Sequence, residues 1–389
     1  MAIVINGSTG ISATESSSVL GNGVVEAADL AAGAAVSNIG YTPANQANVM
    51  GRNRIINGDM RIDQRNAGAS VTAPNGEYTL DRWATLSSAA SKFTIQQNAG
   101  SVTPPAGFSN YAGMTVTSAY SPTGGEVFGV RQRIEGYNMA DFAWGTANAK
   151  TITLSFWVRS SLTGTFGGVL QNNGASRSYP FTYTIDAANT WEQKTITIAG
   201  DTSGTWLTTN GVGITVLFSI GAGSSILGTA GAWAGAAYYS ATGSTNLIAT
   251  NGATFYFTGV QLEVGSVATE FERRPYGLEL ALCQRYYQSI TAMWFYGSGN
   301  GSATTASTIT ETSCPLFVPL RASPTLGTVN VSQMDADSYS SKSGITPTAN
   351  GFNVNSQLVL NWSGLNADLQ DNRPCAVRNN TVLTISAEL

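Results

Sequence analysis

The sequence predicts a mainly β protein built around an antiparallel β-sandwich, and three observations lead there. Only 11% of the 389 residues are Asp, Glu, Lys or Arg, against about a quarter in typical soluble domains, which leaves little Glu and Lys to dress surface helices. Glycine reaches 43 residues, and together with abundant Ser, Thr and Asn it supplies the turns between short strands. Several segments alternate apolar and polar residues with a period of two, which puts one set of side chains on one face of a strand.

The alternation is clearest in the middle of the chain. Residues 151–158 set Ile152, Leu154, Phe156 and Val158 on one face and Trp157 on the other. Tyr179, Phe181, Tyr183 and Ile185 repeat the pattern around Pro180, whose missing N–H assigns the segment to a sheet edge or a strand start. Val212, Ile214, Val216, Phe218 and Ile220 form a third face. Shorter strands are expected at 93–96, 114–117, 195–198 and 254–262. Many short strands without alternating helices indicate a sandwich over residues 52–275.

The flanks read differently. Gly, Ser and Ala dominate residues 1–51, where Val25, Ala28, Ala32, Val36 and Ile39 recur at three- and four-residue steps. This helical stripe is too short to be stable alone. Two further copies of the chain would supply its missing apolar contacts in a bundle around a threefold axis. Beyond residue 275, Leu278, Leu282 and Tyr286 follow at four-residue steps, predicting a short linking helix over 276–288. A smaller C-terminal β-domain follows over 289–389, with strands expected at 293–296, 313–320, 352–360 and 381–387.

Composition also excludes chemistry. The chain has no histidine, so Ser-His-Asp, Cys-His and His-metal centres cannot be built within it. Cys283, Cys314 and Cys375 lie far apart without a CxxC pair, and are expected to be buried small hydrophobes, with Cys314–Cys375 the one disulfide to test. The glycine-rich run from Gly297 to Gly301 lacks the Lys-Ser/Thr of a phosphate loop. No cofactor is expected. Asp335 and Asp337 in a Ser/Asp-rich loop are the place where a calcium ion is weighed, although EF-hand spacing is absent. The acidic pairs Asp59/Asp63, Asp335/Asp337 and Asp368/Asp371 keep carboxylate-only hydrolysis open as an alternative.

A net charge of −4 and a pI near 5.0 give no footprint for nucleic acid. Arg52, Arg54, Arg61 and Arg65, with Asp59 and Asp63 among them, read as a salt-bridged surface. No apolar stretch approaches the roughly 20 residues of a membrane span, and Met1-Ala2-Ile3-Val4-Ile5 lacks the basic region and length of a signal peptide. The expectation is a soluble product made in the cytoplasm, with no membrane insertion.

The segment Asn53-Arg54-Ile55-Ile56-Asn57-Gly58-Asp59-Met60-Arg61-Ile62-Asp63-Gln64-Arg65, followed by Tyr78-Thr79-Leu80-Asp81-Arg82-Trp83, resembles the opening of tail-fibre and receptor-binding proteins of tailed bacteriophages. Gln132-Arg133-Ile134-Glu135-Gly136, Ser155-Phe156-Trp157-Val158-Arg159, Thr258-Gly259-Val260-Gln261-Leu262-Glu263-Val264-Gly265 and Cys283-Gln284-Arg285-Tyr286-Tyr287 continue the pattern. In the leader, Ile5-Asn6-Gly7-Ser8-Thr9-Gly10-Ile11 and Ile39-Gly40-Tyr41-Thr42-Pro43-Ala44-Asn45 are similar to elements of phage fibre shafts and attachment regions. The resemblance implies a homotrimeric virion fibre. Residues 1–51 would dock on phage baseplate or tail proteins, and the outer β-domains would face the host. The middle is similar to jelly-roll carbohydrate-binding modules, which makes a host-surface polysaccharide or lipopolysaccharide the expected ligand, bound without catalysis. The alternatives are a tailspike-like depolymerase with paired carboxylates and a purely architectural baseplate or fibre component.

Sugar binding needs flat aromatic faces and short polar side chains. Trp206, Trp233, Tyr238 and Tyr239 sit in Gly/Ala/Ser/Thr-rich segments and are expected on accessible loops. Trp294 and Tyr296, flanking Phe295, precede the glycine-rich run in the C-terminal unit, and Trp362 follows the Leu358, Leu360 alternation. These seven are the candidate glycan contacts, and the expected receptor-binding domain is the C-terminal one.

Overall fold

The computed structural model describes residues 51–291, 293–300, 307–335, 338–353, 357–365 and 374–389. The chain divides into the units Met1–Val49 and Met50–Leu389, and the described residues belong to the second. The helical stripe expected at residues 25–39 lies outside them, as do Gly301, Asp337, Asp368 and Asp371.

The first fourteen strands are β1 (Val71–Thr72), β2 (Tyr78–Leu80), β3 (Trp83–Ser87), β4 (Phe93–Gln97), β5 (Ala112–Val116), β6 (Val127–Glu135), β7 (Ile152–Ser160), β8 (Gly164–Gln171), β9 (Ser178–Ile185), β10 (Glu192–Ile198), β11 (Val212–Ala222), β12 (Leu227–Gly228), β13 (Ser240–Ala241) and β14 (Thr254–Val264). Twelve of them form two antiparallel six-stranded sheets, in the orders β1-β4-β5-β14-β7-β10 and β2-β3-β6-β11-β8-β9. β12 and β13 make a small parallel pair. The chain crosses repeatedly between the two sheets, in the manner of a jelly-roll-like sandwich.

The three faces read from alternation meet between the sheets. Ile152, Leu154, Phe156 and Val158 of β7 pack with Ile214, Val216, Phe218 and Ile220 of β11 and with Phe181, Tyr183 and Ile185 of β9. Phe156 meets Phe218 edge-on at 4.9 Å, and Trp83 meets Phe257 at 5.2 Å. Burying each of these rings contributes on the order of 1.5–3 kcal/mol. Pro180 lies on β9, the edge strand of the second sheet, where its missing donor costs no ladder bond. A bulge interrupts β14 against β7 between Thr258 and Gln261. Gly259 takes φ +60° there, and a Cβ on it would lie 2.6 Å from the Phe108 ring, so glycine is required twice over.

Helix α1 (Tyr276–Gln284) is shorter than expected, because Tyr287 already begins β15 (Tyr287–Ile290). Its inward residues are Glu279 and Cys283, whereas Leu278 is 40% exposed. Of the expected stripe, Tyr286 is buried with Ile56 and Ile62 and Leu282 packs against them, so only Leu278 leaves the packing face. Glu279 is turned inward by the buried donors it accepts.

The remaining strands are β16 (Trp294–Asn300), β17 (Ser307–Pro315), β18 (Thr325–Leu326), β19 (Val329–Asp335), β20 (Ser338–Ile345), β21 (Thr348–Asn353), β22 (Gln357–Leu365), β23 (Pro374–Asn379) and β24 (Leu383–Ser386). A seven-stranded sheet, β20-β19-β23-β16-β17-β22-β21, shares a core with the three-stranded sheet β15-β24-β18. The single strand expected at 352–360 is two, β21 and β22, paired as a hairpin. Cys314 is a free, buried thiol, so the Cys314–Cys375 disulfide does not form. Burial pushes the Cys314 thiol up to about 12.

Candidate functional site

Of the described segments that carried the family resemblance, all but residues 155–159 contribute to a buried polar network. Asn53 holds the amides of Ile55 and Leu262 at 2.9 and 3.0 Å, and Gln132 clamps both the N–H and the C=O of Ile56 at 2.8 Å. Asn57 bonds Ile62 in both directions and donates to the Asp81 carbonyl, while its own carbonyl accepts the Trp83 indole N–H. Glu279 accepts the Asn57 amide and pairs with Arg274, which also pairs with Glu272. Glu135 takes Arg285 at 2.8 Å and the Tyr286 hydroxyl at 2.8 Å. Arg82, 1% exposed, donates to Glu388 and to the Arg133 carbonyl and lies 3.5 Å over the Tyr286 ring. Asp81 accepts the Gln64 backbone N–H and side-chain amide, yet burial pushes its carboxyl up to about 6.

These partners answer two sequence expectations. The arginines of residues 52–65 are ion-paired, but only Arg61 finds its acid nearby, in Asp59 at 2.9 Å. Arg54 pairs with Asp141, Arg65 with Glu388, and Arg52 with Glu263 at 3.7 Å. Asp63 caps the turn after it by accepting the amides of Arg65, Asn66 and Gly68. Asp59 and Asp63 are thus committed to separate structural roles.

The seven candidate aromatics scatter. Trp206 is 7% exposed and forms a T-shaped trio with Trp144 at 4.7 Å and Trp233 at 5.4 Å. The Trp206 indole donates to the Ser203 carbonyl and that of Trp233 to the Ala199 carbonyl. Both are loop-borne, but their loops fold inward because three indoles bury more area together than singly. Trp362 is fully buried, tilted against Phe295 at 5.2 Å and donating to the Thr312 hydroxyl. Trp206 and Trp362 are therefore core residues, not ligand platforms. Tyr238 is half-buried against Gly228. Trp294 and Tyr296 share the outer face of the seven-stranded sheet, with Tyr296 68% exposed. Tyr239 lines a groove.

Two concavities among the described residues are candidate sites. One, of about 320 Å³, is lined by Gly51, Asn53, Arg54, Ile56, Glu272 and Arg274, among others. Its charged groups already neutralise one another, since Glu272 accepts the Gly51 and Asn53 amides and pairs with Arg274. The other, of about 190 Å³, lies on the outer face of the second sheet and includes Arg131, Arg133, Gln171, Asn173, Thr215 and Tyr239 in its lining.

The register of three neighbouring strands builds that groove. Thr215 of β11 stands opposite Arg133 of β6 and Gln171 of β8. In the next row Leu217 stands opposite Arg131 and Val169. Leu217 and Val169 belong to a small apolar cluster with Leu86 and Val127, and Tyr239 packs on it. Gln171 fixes the aromatic loop by donating to the Tyr238 carbonyl at 2.6 Å. The Tyr239 and Thr215 hydroxyls, the Asn173 amide and the Gln171 Oε1 have no protein hydrogen bond among the described residues. The lining thus offers donors, acceptors and one ring edge to a polar ligand, and contains no carboxylate. Sequence reasoning reached Tyr239 and missed the rest. A usable signal lay in β6, where Arg131 and Arg133 fall on the face opposite Phe128, Val130 and Ile134.

No family model matches the sequence, and no curated protein matches it. Similar solved structures include a putative sugar-binding protein from Bacteroides thetaiotaomicron, at 12% identity and TM-score 0.32, covering 55% of this chain and 100% of that one. The enzymatically active domain of tailspike protein 4 of bacteriophage CBA120 matches at 12% identity and TM-score 0.29, over 50% of this chain and 22% of that one. A family 11 carbohydrate-binding module from Clostridium thermocellum, in complex with a mixed-linked tetrasaccharide, matches at 12% identity and TM-score 0.25, over 53% and 99%. Likenesses this distant place no ligand on this chain, and the β-sandwich stands on its own strand order.

Proposed function

We propose that the chain is a virion adhesin, a homotrimeric tail fibre of a tailed phage that adsorbs to a host-surface glycan without catalysis. The observation that carries this reading is the groove on the second sheet. Its Tyr239 and Thr215 hydroxyls, Asn173 amide and Gln171 Oε1 are left without protein hydrogen bonds among the described residues, as a sugar ring with several hydroxyls would need. The pair of facing carboxylates used by most glycoside hydrolases has no place in a lining without acids. The motifs shared with phage fibres fit this division of labour, because their residues build the scaffold that holds the sheet and leave its outer face free to vary. A shallow groove binds weakly, and three copies on a fibre raise the effective affinity through local concentration. Residues 1–51 would then dock on the phage tail or baseplate.

The test is binding of the full chain to an array of bacterial surface polysaccharides, with sedimentation to count subunits and an assay for released reducing ends. We expect a trimer that binds a subset of polymers and releases nothing. Asn173→Ala, at an exposed position, should weaken binding up to about tenfold, the value of one neutral hydrogen bond, and Tyr239→Ala should weaken it further. Absence of binding, or binding indifferent to both substitutions, would overturn the reading.

A further inference from the structure

More than half of the described arginines pair with a carboxylate, Arg52 among them. Arg54, Arg61, Arg65, Arg82, Arg177, Arg274 and Arg285 each pair with Asp or Glu. Arg131 differs. It is half-buried in the groove, makes no hydrogen bond or ion pair among the described residues, and keeps its Nε buried without a partner. Its cross-strand neighbours are Leu217 and Ala84, neither of which can accept. Arg133, two residues along the same face, donates to the Leu389 carbonyl oxygen and adds a second positive charge to the wall. Burial first, and the Arg133 charge second, pull the Arg131 pKa below the ordinary range for arginine.

A partly desolvated guanidinium without a counter-ion is under-stabilised, and a planar or tetrahedral oxyanion restores what it lacks through paired N–H···O bonds. We propose that the groove selects an anionic sugar, one carrying a carboxylate or phosphate on the ring, with Arg131 as the partner of the charged group. Tyr239, Thr215 and Asn173 then flank the ring itself. The inference rests on the glycan-binding reading above and adds the ligand's charge to it.

The experiment uses the full chain on acidic bacterial capsular polysaccharides printed in three forms: native, carboxyl-reduced, and stripped of phosphate by hydrogen fluoride. The native protein should favour at least one native polymer over its discharged form by tenfold or more, and the preference should shrink with added salt. Arg131→Gln should erase the preference, Arg131→Lys should restore part of it, and both variants should keep the thermal transition of the native protein. Loss on reduction names a carboxylate, and loss on hydrogen fluoride treatment names a phosphate. Equal binding to native and discharged polymers, or a preference unchanged in Arg131→Gln, overturns the anion proposal and leaves glycan binding standing. Binding to no polymer in any form removes both.

Discussion

Arg82 is the most demanding side chain in the molecule, because a full positive charge sits at 1% exposure between the sandwich and the C-terminal unit. Replacing it with Met keeps the unbranched apolar stem and removes the charged guanidinium, so most of the loss can be read as electrostatics. Its contacts are Glu388, the Arg133 carbonyl and the face of Tyr286. Removing one member of a buried ion pair costs about 3–5 kcal/mol, largely from the charge left behind. Glu388 keeps Arg65 at 2.8 Å, which holds the expected cost of Arg82→Met near the lower end, at about 3 kcal/mol. Glu388→Gln should cost at least as much, since it leaves Arg82 without its only anion. The double variant should fall short of the sum by about 1–3 kcal/mol, the coupling typical of contacting charges. Urea unfolding at pH 7 with matched m-values measures all three. A loss under about 1 kcal/mol for Arg82→Met, or strict additivity, would show that this network does not latch the two units together.

Asp81 gives a pH signature. Burial raises its carboxyl to about 6, so the folded chain retains a proton there that the unfolded chain releases near pH 4. Stability should therefore fall as pH rises from about 4 to about 6, by up to about 3 kcal/mol, and then level off. Asp81→Asn should flatten most of this slope. Asp59, also raised by burial against the pull of Arg61, should leave a remainder, and a slope of opposite sign would refute the assignment. Trp206→Ala should cost about 3–5 kcal/mol of stability by opening the indole trio, with glycan affinity of the folded fraction unchanged. A selective loss of affinity would return Trp206 to the binding site.

The sandwich was legible because burial on one face leaves a period-two record, as in residues 152–158 and 212–220. The β19–β20 pair was not, since Val329, Val331 and Ile345 bury inward from a run whose other residues are mostly Ser, Asn, Gln, Lys and Asp, with Met334, Tyr339 and Gly344 among them. Pairing with β23 supplies what its own pattern lacks. The aromatic candidates failed for a related reason. A tryptophan in a glycine-rich loop carries no mark of which way the loop folds, and Trp206 and Trp233 turned toward Trp144. Alternation in β6 does state that Arg131 faces outward. That no acid reaches it depends on strands more than 80 residues away in sequence, where Leu217 stands opposite.

The contacts of Glu388 also set an order of events during synthesis. Arg65 and Arg82 precede it by 323 and 306 residues. Bringing such distant positions together carries a loop-closure cost that grows with the logarithm of the separation. The strands of the sandwich leave the ribosome first, so Arg82 is synthesised long before both the Tyr286 ring that covers it and the anion that pairs with it. A nascent polypeptide that stops short of residue 388 has the Arg82 cation without that carboxylate. The contact closes only when the segment that carries Glu388 folds back onto Arg82, so a truncation that removes residue 388 should cost about as much stability as Glu388→Gln.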